Sequence, residues 1–389
     1  TAACNADVAA FFDKWMVDVD DGQSARGDFA KCSPRIADNS AGWPVWADAG
    51  VIIPWVMYAH YGDLAFLAGH YQHMARWVDY CQGASRGLLL SGGVGDHLAP
   101  LPTPIDLVDT AYFANSARLV AQAAALLGRS EDAARYGKLR DDIVAAFDKA
   151  FLSTNGTLRG DTQTADILAL RFDLLPGALR PVVAARLAAN VEQTGHLTTG
   201  FVGVGLICPT LQQIGRPDLA WKLVFTDTYP SWLFSVKNGA TTIWERWDGW
   251  TPGRGFQDSS MNSFNHYSLG SVGAWFYSGA AGIDLDESHP GFKHFALRPQ
   301  FTSRLSFVKA SLDSPYGLIT SYWHTRGSLM LYDATIPPNT TADLTLPVPP
   351  ETVRQSGHPV ASLDAAVTTL PLEPGAHHFV FPLPFSDAK

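Results

Sequence analysis

The chain has 389 residues, a hydrophobic fraction of 47%, a charged fraction of 17% and a formal net charge of −9. This length predicts two or three domains, and the composition excludes an intrinsically disordered chain, which would combine low hydrophobicity with high charge. The negative charge argues against a nucleic-acid partner, because the sequence contains no basic run to bind phosphates.

The chain up to about residue 285 has the pattern of helices in succession. Between Asp106 and Leu127 apolar residues recur at the spacing of a helix face, and the segment after Ser130 repeats the pattern. Gly128 stands between them, where a left-handed cap ends a helix. Further helices are predicted over 7–19, 47–59, 64–81, 161–172, 178–191 and 264–281. Antiparallel pairs joined by short turns favour helical hairpins that close into a toroid.

The pattern changes near Pro290. Runs rich in β-forming residues then recur at short spacing, over 305–312, 318–323, 329–336, 342–348 and 377–381, with turn residues between them. This pattern predicts an antiparallel β-sandwich with a structural role. The predicted division is a mainly α catalytic domain over 1–288 and a β domain over 289–389.

The segment 241–250 (TTIWERWDGW) combines three tryptophans with acidic and basic residues and follows no helical or alternating pattern. Cleavage of a glycosidic bond needs carboxyl groups beside the bond, and aromatic rings stack on sugar faces. Glu245, beside Trp244 and Trp247, is therefore a candidate general base, and Trp244 a candidate sugar platform. His266, in the following segment 261–266, is a candidate hydrogen-bond donor. The alternative is a loop that plugs the toroid, with Glu245 paired to Arg246 or another basic residue.

Two loops earlier in the sequence are expected at the same end of the toroid as Glu245 and His266. The loop 41–48 contains Trp46 and Asp48, although Asp48 precedes a predicted helix and is equally suited to cap it. The glycine-rich loop 91–97 contains Asp96 and His97. Cys4, Cys32, Cys81 and Cys208 are widely spaced, which favours free thiols over disulfides or a metal site.

These segments resemble the bacterial and fungal α-L-rhamnosidases of the inverting family with an (α/α)6 catalytic barrel. The resemblance is carried by the stretches 7–15, 46–55, 195–202 and 229–233, most closely by 239–250 (GATTIWERWDGW) and 261–267 (MNSFNHY), and by 313–317 in the β domain. It implies an (α/α)6 toroid, complete or lacking N-terminal helices, followed by the sandwich. It also implies an enzyme that removes terminal α-L-rhamnose with inversion and without a cofactor or metal.

The resemblance also implies roles for single residues. Glu245 matches the family's general base, His266 matches a histidine that contacts rhamnose, and Trp46 matches an aromatic wall of the sugar site. Asp48 and Asp96 lie in the neighbouring loops. His97 stands where the family usually has tryptophan, which exchanges a stacking wall for a smaller, titratable ring and bears on sugar specificity.

The family's general acid is a glutamate in a motif of the type Arg-x-Glu-x-x-Gly-Trp-x-Gly-Asp, upstream of the stretch that resembles 1–15. The printed sequence contains no such motif, so we expect the acid outside it. The expected substrate is a rhamnose-containing glycoside, either a flavonoid glycoside or a polysaccharide fragment, and neither a nucleic acid nor a membrane is an expected partner. Two alternatives remain, a non-catalytic rhamnoside-binding protein and another inverting glycosidase on the same barrel. Oligomeric state, aglycone and compartment are not predicted.

Overall fold

The computed structural model describes residues 1–35, 42–360 and 367–385; position 41 of the candidate loop 41–48 lies outside them. The chain divides into two compact units. One, the helical unit, comprises Phe11–Trp55 and Ala65–Val272, and the other, the β unit, comprises Thr1–Ala10, Val56–Leu64 and Gly273–Lys389. Every candidate site residue belongs to the helical unit.

The described residues form twelve α-helices. They are α1 (Ala2–Asn5), α2 (Ala9–Asp21), α3 (Ala49–Tyr61), α4 (Leu64–Ala84), α5 (Ile105–Leu126), α6 (Ser130–Phe151), α7 (Gln163–Arg171), α8 (Arg180–Thr194), α9 (Val204–Gln213), α10 (Pro217–Phe225), α11 (Trp232–Lys237) and α12 (Gly273–Trp275). Helices α5 and α6, α7 and α8, and α9 and α10 pack as successive hairpins.

The α5–α6 hairpin shows why the sequence folds in this way. Helix α6 buries Tyr136, Leu139, Ile143, Phe147 and Phe151, which lie three or four residues apart and so share one face. Helix α5 is buried along most of its length. Gly128 between them has φ +70°, a value that favours glycine, as the sequence predicts.

The helix prediction was wrong in one place and incomplete in another. Residues 264–267 are not helical, and the chain then forms a 3₁₀ turn (Ser268–Val272), α12 and a π-helical turn (Phe276–Ala280) instead of one continuous helix. At Gly279 the Trp275 ring covers the position that a Cβ would occupy, so this turn requires glycine. Helices α9, α10 and α11 were not predicted; α9 contains Pro209, which weakens the helical pattern.

The described residues form twelve strands. They are β1 (Trp250–Thr251), β2 (Gly255–Phe256), β3 (Ile283–Leu285), β4 (His294–Leu297), β5 (Phe307–Ser314), β6 (Gly317–Arg326), β7 (Leu329–Ile336), β8 (Thr341–Leu346), β9 (Arg354–Gln355), β10 (His358–Pro359), β11 (Thr368–Leu372) and β12 (Gly375–Pro382). Strands β1 and β2 form a short hairpin in the helical unit. The others form a six-stranded sheet in the order β10-β9-β12-β7-β6-β5 and a four-stranded sheet in the order β11-β8-β4-β3.

The two larger sheets share one apolar core. Trp323, Tyr332 and Phe379 from the first sheet and Phe295 and Leu344 from the second are all buried in it. Side chains of this size each contribute about 1.5–3 kcal/mol when removed from water. The mainly α fold with a following β-sandwich is confirmed, with one difference: β4 pairs with β8 in parallel, whereas an all-antiparallel sandwich was predicted.

All four cysteines are free, as their spacing predicts. Within the described ranges, no helix is both long and apolar enough to cross a membrane. No group of three or more His, Cys, Asp or Glu side chains in the same ranges is arranged to hold a metal ion.

Candidate active site

Glu245 and His266 are brought together by a pairing of two segments, which we call the ladder (residues 242–245 and 263–266). The Glu245 amide donates to the Ser263 carbonyl at 2.9 Å, and the His266 amide donates to the Ile243 carbonyl at 2.9 Å. The Thr242 hydroxyl adds a bond to the Phe264 carbonyl. Residues 21 positions apart in sequence thus lie on adjacent, roughly extended segments.

The Glu245 carboxylate is half-buried and retains acceptor capacity. Its Oε2 accepts from the Ser263 amide at 2.7 Å, and it has no other hydrogen bond and no ion pair with any described residue. The Arg246 guanidinium is bound instead to Asp248, at 2.9 Å. The alternative in which Glu245 pairs with Arg246 is therefore wrong.

Asp248 organises the loop beside the ladder. Its Oδ1 accepts from Arg246, and its Oδ2 accepts from Arg254 at 3.1 Å and from Gln257 at 2.6 Å. Burial pushes the pKa of Asp248 up, but these donors together hold the pKa below its ordinary value. Asp248 is thus an ionised structural carboxylate that anchors both arginines.

Four rings from separate segments meet next to the ladder. Phe201 stacks nearly parallel to Trp46, with ring centroids 6.3 Å apart and planes 10° apart, and lies edge-on to His97 at 5.1 Å. Trp46 and His97 are themselves in edge contact at 5.8 Å. Phe201 also contacts the His266 ring at 4.9 Å. We call Trp46, His97, Phe201 and His266 the ring cluster.

The two histidines of the ring cluster differ in what their nitrogens bind. The Ser268 amide donates to Nδ1 of His266 at 3.2 Å, so a neutral His266 carries its proton on Nε2 and can donate it to a ligand. Burial lowers the pKa of His97, and the charge of nearby Glu245 opposes part of this shift. His97 is therefore neutral at pH 7.

Asp96 ties two loops together. Its carboxylate accepts from the amides of Gly200 at 2.8 Å, Val202 at 2.8 Å and Gly203 at 3.3 Å, and from the Thr164 hydroxyl. Only 6% of Asp96 is exposed. Burial raises the pKa of Asp96, and the four donors oppose this rise. We call Asp96 with residues 200–203 the clamp.

Asp48 is likewise an internal acceptor, 1% exposed. Its carboxylate accepts from Trp77 Nε1 at 2.8 Å, from the Ser116 hydroxyl at 2.6 Å and from the Val45 amide at 2.7 Å. Burial raises the pKa of Asp48, against these three bonds. The alternative that its side chain caps α3 is wrong, because all its bonds go elsewhere; it holds the loop that carries Trp46.

Trp244 lies behind the ladder. It is 7% exposed, and its ring contacts Phe264 edge-on at 5.1 Å. Trp247, which is also buried, donates its indole N–H to the Thr199 carbonyl at 2.9 Å. Both rings support the ladder and leave little face for a ligand.

Sequence reasoning missed Phe201 and the pairing of Arg246 with Asp248. Phe201 lies in the stretch 195–202 that carries part of the resemblance, but a single phenylalanine gives no signal of its own. The structure shows why residue 200 is glycine: a Cβ there would collide with the His97 carbonyl oxygen and lie 2.6 Å from the Ala99 amide nitrogen. The glycine marks the close approach of the two loops in the clamp.

Two families match this chain. The family described as bacterial α-L-rhamnosidase 6 hairpin glycosidase domain matches residues 1–280, and the bacterial α-L-rhamnosidase C-terminal domain matches residues 282–361. An α-L-rhamnosidase of Streptomyces avermitilis is 38% identical over 383 residues, which are 97% of this chain and 37% of that protein. One of Formosa agariphila is 36% identical over 359 residues, which are 89% of this chain and 38% of that protein.

Solved structures agree with these matches. The crystal structure of the Streptomyces avermitilis α-L-rhamnosidase complexed with L-rhamnose superposes with a TM-score of 0.91 at 37% identity, covering 96% of this chain and 36% of that one. The α-L-rhamnosidase from Dictyoglumus thermophilum superposes with a TM-score of 0.89 at 27% identity, covering 97% and 44%. The chain spans little more than a third of the length of the relatives it matches.

Proposed function

The chain belongs to the bacterial α-L-rhamnosidase 6 hairpin glycosidase family, and on this premise we propose that it is the part of an enzyme that hydrolyses terminal α-L-rhamnosides with inversion. The single observation that carries the proposal is the half-buried Glu245 carboxylate, held through one oxygen and close to the ring cluster. The chain spans only a minor share of each relative's length. The activity, substrate and partners of the chain are therefore all part of this proposal.

Glu245 acts as the general base. An inverting glycosidase places a water molecule between a carboxylate and the anomeric carbon, with the acid about 6.5–9.5 Å from the base. The Ser263 amide fixes Oε2 of Glu245 and leaves Oε1 to take the proton of that water. The pairing of Arg246 with Asp248 supports this role, because Arg246 is bound elsewhere and no described cation forms an ion pair with Glu245.

The ring cluster binds the sugar. Trp46 offers a half-exposed face for stacking, and Nε2 of His266 donates to a hydroxyl group. A neutral His97 closes the site as a smaller wall. Trp244, Asp96 and Asp48 act indirectly, by holding the ladder and the loops that carry His97 and Trp46.

The acid is not assigned to any described residue. Both oxygens of Asp96 and both oxygens of Asp248 accept bonds from other groups, which leaves neither carboxyl group suited to act as the acid. We therefore expect the printed chain to hydrolyse ordinary rhamnosides weakly or not at all. An activated aryl rhamnoside needs little protonation of its leaving group, so its hydrolysis should suffer least.

The proposal is tested by hydrolysis of a nitrophenyl α-L-rhamnoside by the wild-type chain and Glu245→Gln. General base catalysis contributes about 10²–10⁴-fold, so the variant should lose at least about 100-fold in kcat. Glu131→Gln is the matched control, since Glu131 is an exposed residue in the first turn of α6 and should leave kcat unchanged. Release of β-L-rhamnose, followed by NMR, would identify inversion.

Equal kcat for Glu245→Gln and the wild type would rule Glu245 out as the base. Binding of L-rhamnose without any turnover of the activated substrate would favour the rhamnoside-binding alternative. Turnover of a different activated glycoside, but not of the rhamnoside, would favour another inverting glycosidase.

For the substrate beyond the rhamnose, an aromatic aglycone of the flavonoid kind is favoured over a polysaccharide fragment. Ile243, Phe256 and Tyr267, on or beside the segments that carry Glu245 and His266, are 41%, 71% and 59% exposed. Apolar side chains exposed in this number beside a polar site suit a flat, apolar ligand.

We also propose the division of the chain into a catalytic domain over 1–288 and a sandwich domain over 289–389. The two family matches meet between residues 280 and 282 and support a boundary in this part of the chain. The first strand of the sandwich, β3 (Ile283–Leu285), lies just before the proposed boundary.

A further inference from the structure

Phe201 occupies the middle of the ring cluster. It is the ring that contacts all three of the others, stacked on Trp46 and in contact with His97 and His266. It nevertheless remains half-exposed. Phe201 therefore presents part of its ring to whatever occupies the site.

The backbone at Phe201 is fixed from both sides. Its amide donates to the His97 carbonyl at 3.0 Å, and the amides of Gly200 and Val202 donate to Asp96. The absence of a side chain at Gly200 lets the two loops approach this closely. The fixed backbone and the three ring contacts together restrict the Phe201 ring, and a restricted ring can discriminate between ligands.

The surroundings of Phe201 are chemically divided. Glu245, His97 and His266 supply the polar partners that sugar hydroxyls need, while Phe201 and Trp46 lie nearly parallel and form an apolar surface. L-Rhamnose has the matching division, since it carries hydroxyl groups around the ring and one methyl group on C5. L-Mannose differs from it only by a hydroxyl on that methyl carbon.

We propose that Phe201 is a specificity-determining residue whose ring receives the C5 methyl group and so selects a 6-deoxy sugar over its hydroxymethyl counterpart. This inference rests on the proposed function, because it takes the ring cluster to be the sugar site. A hydroxymethyl group against Phe201 loses hydrogen bonds to water and gains no partner from the ring. A methyl group in the same place loses nothing and gains apolar contact.

The test compares the dissociation constants of L-rhamnose and L-mannose by calorimetry for the wild-type chain, Phe201→Leu and Phe201→Gln. Leucine and glutamine have similar volumes, so both variants disturb the ring contacts alike and differ in polarity at the tested surface. The wild type should prefer L-rhamnose by about 10–100-fold, the range for one small group in an apolar pocket. Phe201→Leu should keep most of this preference, and Phe201→Gln should lose it to within about 3-fold.

Phe225→Leu serves as the matched control, because Phe225 is also half-buried in the helical unit and stacks on Trp221 at 5.4 Å, outside the ring cluster. The Phe225→Leu variant should prefer L-rhamnose over L-mannose by the same factor as the wild type. A preference unchanged in Phe201→Gln, or lost equally in Phe201→Leu and Phe201→Gln, would overturn the inference, since Phe201 would then only position the other rings. Failure of the wild type to bind either sugar would overturn it as well.

The failure of this inference and the failure of the proposed function are distinguishable. Sugar binding needs no catalysis, so Glu245→Gln should keep the preference for L-rhamnose while losing turnover. A chain that prefers L-rhamnose but does not turn over even the nitrophenyl rhamnoside, whose leaving group needs little protonation, would support the role of Phe201 and refute the proposed catalytic role of the chain. A chain whose turnover depends on Glu245, but whose Phe201→Gln variant keeps the preference for L-rhamnose over L-mannose, would support the enzyme and refute the role of Phe201.

Discussion

The clamp and the ladder both depend on a carboxylate, and the two carboxylates are used in opposite ways. Asp96 in the clamp is 6% exposed and accepts from four donors, whereas Glu245 in the ladder is half-buried and accepts from one. A carboxylate that accepts hydrogen bonds on both oxygens holds the structure together, because every lone pair that faces the protein is occupied. A carboxylate with a free oxygen retains the capacity to take a proton. This difference in hydrogen bonding, more than residue type, separates the structural carboxylate of Asp96 from the candidate base Glu245.

The largest effect on stability is expected from the clamp. Asp96→Asn turns an acceptor into a donor beside three amides and a hydroxyl, so at least one buried N–H loses its partner. Hydrogen bonds to a charged group contribute about 1.5–3 kcal/mol each, and we expect the free energy of unfolding to fall by about 3 kcal/mol. Urea denaturation monitored by tryptophan fluorescence measures this change.

Thr164→Val is the matched control for that prediction. It removes only one of the four donors to Asp96 and should cost about 1 kcal/mol. If both variants lose the same free energy of unfolding, the clamp does not depend on the Asp96 charge and the contrast with Glu245 fails.

The sequence predicted some parts of the molecule well because their signals are local. The buried face of α6 and the full extent of β7 follow from residue spacing and β-propensity alone. In the site, Glu245 and His266 were found because they stand in distinctive stretches. The clamp was not predicted, since Asp96 meets residues 200–203 only through long-range packing that no local pattern encodes.

The short helices and the role of Phe201 were missed for a related reason. Helix α11 has six residues and none of them is buried, so it shows no apolar periodicity. Phe201 is one of 21 phenylalanines, and only its three ring contacts set it apart. Burial was equally hidden from the sequence, which is why Trp244, Asp48 and Asp96 were expected to contact a ligand although all three side chains are buried.

A second carboxyl group, on helix α5, binds the glycine-rich loop 91–97 and gives an intermediate, pH-dependent effect. Asp109 on α5 accepts from the Gly93 amide at 2.8 Å, and its Oδ1 is buried and has no described partner. Burial raises the pKa of Asp109 to about 7, against the bond from Gly93 and with the charge of Asp48 adding to the rise. The folded protein therefore binds a proton that the unfolded chain releases near pH 4, and stability falls as pH rises from about 4 to 7.

Asp109→Asn removes this titration, because the amide resembles the protonated acid. Relative to the wild type, the variant should gain about 1 kcal/mol in free energy of unfolding between pH 5 and pH 6. Urea denaturation at both values gives the difference directly, and titrations common to both proteins cancel. Parallel pH dependence of the two proteins would show that Asp109 does not change its protonation on folding.

The smallest effect on stability should come from the residue with the largest effect on activity. Glu245→Gln keeps an acceptor oxygen for the Ser263 amide, breaks no ion pair with a described residue and leaves the other bonds of the ladder intact. Changes of this kind usually stay within about 0.5 kcal/mol, so the free energy of unfolding should match that of the wild type. The same urea titrations compare Glu245→Gln with Asp96→Asn. We expect the free energy of unfolding to fall when the Asp96 carboxylate is lost and to stay unchanged when the Glu245 carboxylate is lost. A loss from Glu245→Gln comparable to that from Asp96→Asn would mean that the ladder depends on the Glu245 charge, and the loss of turnover in that variant would no longer identify the base.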